Sequence, residues 1–167
     1  KTVLAHALQR CAAIAGIDAV VCATSDLAQD DPIVEEARRA GAQVFRGSQD
    51  DVLARYLGAA DSVGAEVVLR VTSDCPLIDP AVCRAVLDLR RSTGSDYAAN
   101  NMPRLYPHGL DCEAFTTEAL RQASTATMLA FDREHVTPWL RRANGLKRAN
   151  LPGPGWPASM HRWTLDY

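Results

Sequence analysis

Three short stretches of this chain share one pattern: Thr24-Ser25-Asp26, Thr72-Ser73-Asp74 and Thr164-Leu165-Asp166 each put a hydroxyl and then an acid at the end of an extended-looking run. Mg2+ rests on one or two carboxylates plus substrate phosphates, so two acids from separate strands suit a phosphate-bearing substrate. For Asp26 an Asx turn leaving a strand is the simpler account. In "RVTSDCPLIDP", residues 70 to 80, the second acid has a plain task. Asp79 precedes Pro80 and reads as an N-cap with proline at the first helical position, where its missing N–H costs nothing. Asp74 has no such task, which makes it the candidate for metal or phosphate chemistry, with Asp166 as its partner. Cys75, next door, has no base marked near it and reads as a small buried thiol rather than a nucleophile.

Positioning such groups takes strands and helices in alternation. "KTVLAHALQRCAAIAG" has apolar residues at helical spacing and Gly16 as its stop. "DAVVCATSD" is a near-continuous apolar run, as in a parallel strand covered on both faces. Asp31 as cap, Pro32 and Gly41 frame a second helix, and "QVFRG" is a strand. Ser48 and Asp51 have capping-box-like spacing and open a third helix to about Ala60. "EVVLRV", the helix after Pro80 and "DYAAN" continue the rhythm. This alternation predicts an α/β fold with a mostly parallel sheet. In such sheets ligands bind at the carboxyl ends of strands. Beyond Asn100 the rhythm breaks: "LDCEAF" reads as a strand, helices are expected near 116–124 and 132–143, and "MHRWTLDY" reads as a strand ending in an acid. Pro138 must kink the second of these helices or mark a start near Thr137.

Composition narrows the function. The chain has 167 residues, 47% of them hydrophobic, and a net charge of −2 with 18 Lys and Arg, which fits one ordinary domain over residues 1–167 and gives no basic stripe for nucleic acid. Cys11, Cys22, Cys75, Cys83 and Cys112 are an odd count without a C-x-x-C pair, so neither a disulfide framework nor a zinc site is indicated, and a reducing cytoplasm is the expected setting. No apolar run approaches the length of a membrane span, so a membrane partner is not expected. No G-x-G-x-x-G, P-loop or G-x-S-x-G motif is present.

Several stretches in order, "ATSDLAQDDPIVEEARRAGAQVFRGSQDDVLARYLGAA", "VLRVTSDCPLIDP", "YPHGLDCEAFTTEAL", "REHVTPWLRR" and "RWTLD", resemble the cytidylyltransferases of the spore-coat polysaccharide SpsF type, relatives of the CMP-sugar synthetases. The resemblance implies a three-layer α/β/α nucleotide-diphospho-sugar transferase (GT-A-like) fold. It implies transfer of CMP from CTP to a sugar, a sugar acid by family analogy, with release of pyrophosphate. By the same resemblance Asp74 and Asp166 hold Mg2+ against the triphosphate, while Thr24, Ser25, Ser73 and Arg55 lie near the nucleotide. Tyr106, His108, Asp111, Glu113, Arg133, Glu134 and His135 fall in the region of the sugar pocket, and pairing into a homodimer is a further expectation.

From the residues alone, "YPHGLD" is equally a plain turn into a strand, and His135 equally a capping or packed histidine. Asp111 and Glu113 alternate with Leu110 and Cys112 and so are expected to face one way. Trp139, Trp156 and Trp163 read as core or dimer contacts rather than base-stacking platforms. The family's R-x-x-S-x-R-L-P-G-K phosphate loop is missing, since Lys1 matches a position beyond it. The expected domain thus lacks its first strand and is truncated at both ends, with activity crippled accordingly. Two other readings stay open. A GT-A-like glycosyltransferase would require an Asp-x-Asp pair that "SDCP" lacks, and a truncated copy could serve only for binding or oligomerisation.

Overall fold

The caps fall where local chemistry puts them. Thr2 accepts from the Ala5 N–H to open α1 (Val3–Ala12), and the Asp79 carboxylate accepts from the Ala81 and Val82 N–H groups to open α4 (Pro80–Thr93). The computed structural model describes residues 1–165. Between these two helices come β1 (Val21–Ser25), a 3-10 turn (Ala28–Asp30), α2 (Asp31–Arg39), β2 (Gln43–Gly47), α3 (Val52–Ser62) and β3 (Val67–Arg70). After α4 follow β4 (Tyr97–Ala99), β5 (Glu113–Thr116), α5 (Thr117–Ala126), α6 (Ala130–His135), α7 (Pro138–Arg142), β6 (Arg148–Asn150) and a 3-10 turn at Ala158–Met160.

The α/β alternation holds, but the mostly parallel sheet is corrected to a mixed one. β1 and β2 pair parallel, and a second sheet runs β3-β5-β4-β6, with β5 antiparallel to both its neighbours and β4 parallel to β6. The cause lies between β4 and β5. No crossover helix separates them, so the chain turns back through residues 100–112 and β5 inserts antiparallel beside β4. Strand alternation then sorts the core into two layers. Tyr97, Ala99 and Phe115 pack with Leu53, Leu120 and Leu140 from α3, α5 and α7. Ala98 and Ala114 pack on the other face with Ile78, Cys83 and Val86 around α4.

Local departures from expectation have local causes. Helix α1 stops at Ala12, a turn before Gly16. Asp31 is the first helical residue of α2 rather than its cap, because Asp30 takes the cap position and turns its carboxylate toward β1. α3 begins after Asp51, whose carboxylate accepts from the Ala54 N–H, while Ser48 Oγ accepts from the Asp51 N–H. "LDCEAF" is strand only from Glu113, and "MHRWTL" is not a strand among the described residues, making only a parallel bridge between His108 and Arg162. The 132–143 helix is broken in two. Val136 sits at φ 69°, ψ −55°, and Thr137 N–H donates to the His135 carbonyl at 2.8 Å, a γ-turn of the strained, positive-φ kind. Trp139 packs against the core, whereas Trp156 and Trp163 are exposed.

Between the two sheets lies a slot. Among the described residues β1 pairs only with β2, and β3 only with β5. Their facing edges line a cavity of about 1360 Å³, apolar along its length through Val21, Ala23, Val67 and Leu69, with Leu8 and Ala59 from the flanking helices.

Candidate active site

At the carboxyl ends of β1 and β3 the wall of that cavity becomes polar. Thr24, Ser25, Arg55 and Ser73, drawn from positions as far as 49 residues apart, all line it there. Thr24 and Ser25 are buried and are held by Asp30: its Oδ2 accepts from Thr24 Oγ1 at 3.1 Å, Ser25 Oγ at 2.6 Å and the Ser25 N–H at 3.3 Å. The Ser25 hydrogen bond leads the effects that hold the Asp30 carboxyl below the usual range. Arg46 completes the loop by donating to the carbonyls of Ser25 and Leu27 and to Asp31. Arg55 donates through Nη1 to the Ser48 carbonyl at 2.7 Å, while its Nε is buried with no acceptor among the described residues.

Asp74 follows the exposed Ser73 in a turn closed by Cys75 N–H donating to the Thr72 carbonyl at 3.1 Å. Its carboxylate is half-buried and accepts from the Cys75 thiol at 3.6 Å. That leaves hard oxygen lone pairs suited to Mg2+. The distant end of the chain comes to the same turn: the Leu165 N–H donates to the Asp74 carbonyl at 2.9 Å. Asp166, the expected second ligand, lies outside the described residues. Among the described residues no three His, Cys, Asp or Glu side chains gather as a self-sufficient metal site. Burial pushes the Cys75 thiol up to about 11, so it is an inert neighbour of Asp74.

The residues expected around a sugar pocket divide into separate groups. Tyr106 donates to the Pro152 carbonyl, and Asp111 takes Arg104 at 2.5 Å and the Gly109 N–H at 3.2 Å, with His108 Nε2 nearby at 3.6 Å. Here Gly109 is required: at φ 108° a Cβ would lie 2.6 Å from the Trp163 carbonyl, so only glycine lets residues 161–165 pass beside the 106–111 loop. Glu113 does not share this company, contrary to the expectation that it would face one way with Asp111. It is 2% exposed and pairs with Arg70 at 2.8 Å and with Arg141, taking Tyr97 Oη at 2.5 Å. Burial alone would raise its pKa, but the two guanidiniums and the tyrosine hydrogen bond outweigh it and hold the carboxyl low. Arg133 is a staple, bonding Asp51 at the α3 cap and the Ser124 carbonyl at 2.8 Å. Glu134 is exposed, and His135 is exposed with its ring 4.5 Å from Phe131, edge to face.

Sequence reasoning missed Asp30, Arg70, Tyr97, Asp132 and Arg141. Asp132 is fully buried and takes Thr127 Oγ1 at 2.5 Å and both terminal nitrogens of Arg142. A lone acid or arginine inside a helical or strand pattern looks like a solvated position; only "VLRV" gave a signal, since it sets an arginine within a run otherwise fit for burial.

This layered α/β sheet with a polar cavity at its strand ends is the architecture of nucleotidyltransferases. The CMP:2-keto-3-deoxy-manno-octonic acid synthetase solved in complex with CTP superposes with a TM-score of 0.65 over 95% of this chain and 84% of that one, at 16% identity, which shows a shared fold. Residues 1–153 match the cytidylyltransferase family model, and the chain belongs to that family. It is 32% identical over 153 residues to the spore coat polysaccharide biosynthesis protein SpsF of Bacillus subtilis (strain 168), covering 89% of this chain and 62% of that protein. A cytidylyltransferase structure from Leptospira borgpetersenii serovar Hardjo-bovis superposes with a TM-score of 0.94 at 30% identity, covering 100% of this chain and 71% of that one. The chain spans 56% and 62% of the lengths of two curated relatives it matches.

Proposed function

We propose that this chain is the nucleotidyltransferase domain of an enzyme that joins CMP from CTP to a sugar acid, releasing pyrophosphate, in the making of a polysaccharide or cell-surface glycan. One observation carries the reading: Thr24, Ser25, Arg55 and Ser73, the residues the family resemblance assigns to the nucleotide, line a single cavity mouth with Asp74 next to Ser73. In-line attack of a sugar hydroxyl on the α-phosphorus needs position and charge stabilisation more than covalent chemistry. Asp30 fixes the Thr24 and Ser25 hydroxyls, and Arg55 brings a positive charge to the wall of the same cavity. Asp74, joined by Asp166, would hold Mg2+, which when bound neutralises phosphate charge.

The slot between β1 and β3 supports a further part of this reading. Two one-sided strands facing each other across an apolar gap fit one more strand between them. A strand leading into the R-x-x-S-x-R-L-P-G-K loop belongs there, delivering phosphate-binding N–H groups to the polar mouth. No helix among the described residues is long and apolar enough to cross a membrane. All five cysteines are free, which fits a reaction run in the cytoplasm.

Pyrophosphate release from CTP with sugar-acid acceptors tests the proposal, comparing the 167-residue chain with one extended at its N-terminus by such a strand and loop. The extended chain should turn over, and the 167-residue chain only feebly. In the extended chain Asp74→Asn should cost at least about 100-fold while leaving the fold intact, as expected for a metal-holding carboxylate worth several kcal/mol in the transition state. Equal turnover by the two chains, or by Asp74→Asn, would refute it.

A further inference from the structure

A second cavity, of about 320 Å³, lies between α6, α7 and the end of β3, lined by Arg70, Phe131, His135, Thr137, Pro138 and Arg141. We infer that it is a subsite for a singly charged carboxylate, built from Arg70 and Arg141 on the buried Glu113. The inference rests on the CMP-transfer reading and specifies which group of the acceptor the protein grips.

The charge balance leads to this. Among the described residues no carboxylate lines the cavity, while two guanidiniums do. Glu113 lies behind them and spends its oxygens inward: Oε2 takes Arg70 Nη1 at 2.8 Å, and Oε1 takes Tyr97 Oη at 2.5 Å, Arg141 Nε at 3.1 Å and Arg141 Nη2. One negative charge set against two positive ones leaves a surplus of +1, matched by one carboxylate rather than by a phosphate dianion. Donor capacity is also left over. Of its donors Arg70 spends Nη1 on Glu113, and the residue borders both this cavity and the larger one. The planar fork of arginine suits a carboxylate, and both forks are already fixed. Arg70 stacks 5.6 Å over the Tyr56 ring, and Arg141 Nη2 also donates to Asn101 Oδ1 at 3.3 Å. Binding would therefore forfeit little side-chain freedom.

The remaining walls fit a monosaccharide. Phe131 and His135 stand edge to face at 4.5 Å beside the charged floor, and Phe131 is 62% exposed, leaving much of a large aromatic surface open. The strained γ-turn at Val136 ends α6 at His135 and starts α7 near Thr137 and Pro138, so that all three lining residues come from the break itself. Strain of this kind persists where the surroundings over-determine it and gathers at ligand sites.

The test follows the Arg70 and Arg141 Nε–H signals in nitrogen-15 NMR spectra while glucuronate, glucose or glucose 6-phosphate is added. Glucuronate should move both signals, glucose neither, and glucose 6-phosphate should bind more weakly than glucuronate. Arg141→Gln should weaken glucuronate binding at least about tenfold, the scale of one lost hydrogen bond to a charged group. Glucuronate leaving both signals in place overturns the subsite, and glucose 6-phosphate binding as tightly as glucuronate overturns the carboxylate assignment; both are read on the unmutated chain. A chain extended as above that never uses CTP yet shifts these signals with glucuronate would keep the subsite and lose the CMP-transfer reading. CTP turnover without arginine shifts would do the reverse.

Discussion

Replacing Glu113 with glutamine removes one charge and keeps the shape, so the consequence is electrostatic. The carboxylate is 2% exposed and holds Arg70 and Arg141, whose side chains are 19% and 34% exposed. Taking one partner from a buried ion pair costs about 3–5 kcal/mol, and because glutamine keeps a carbonyl acceptor for Tyr97 or an arginine, about 3 kcal/mol is expected. In a domain of this length that lowers Tm by about 6–12 °C. The pH dependence gives a sharper signature. The native Glu113 carboxyl titrates below its unfolded value, so its contribution is fully present above about pH 4.5 and is lost as pH falls through the depressed native pKa. Glutamine has nothing to lose there. Thermal melts of both proteins should differ most near neutrality and converge on acidification below about pH 4. Equal Tm values at pH 7, or a gap that acid leaves unchanged, would refute the ion-pair account.

Gly109→Ala places a Cβ 2.6 Å from the Trp163 carbonyl at φ 108°, so it should cost about 2 kcal/mol or more and loosen residues 161–165. Hydrogen exchange at the Leu165 amide, bonded to the Asp74 carbonyl, should quicken; unchanged protection would count against the tether. Cys11 and Cys75 both titrate at about 11 through burial, so alkylation at pH 8 should run about a hundredfold slower in the folded chain than after unfolding, as mass spectrometry can follow. Rapid folded-state labelling of Cys75 would contradict its inert role beside Asp74.

What the sequence determined by itself was local. Asp79 before Pro80 had to cap a helix, the apolar runs ending in Thr-Ser-Asp had to be strands near a ligand edge, and the ordered stretches from "ATSD" to "RWTLD" pointed to the family. Such features rest on hydrogen bonds and periodicities spanning a few residues, which a linear reading can follow. The tertiary structure alone decided the rest. β5 inserts antiparallel because residues 100–112 turn back, and this buries Glu113 between Arg70 and Arg141, from positions 43 and 28 residues away. Asp111, two residues earlier, goes instead to Arg104. Whether an acid becomes a surface charge, a cap or the anchor of two cations depends on which distant chain segment arrives beside it. Coulomb energy rises steeply as separation and water are removed, and neither quantity is written in the spacing of residues along one strand.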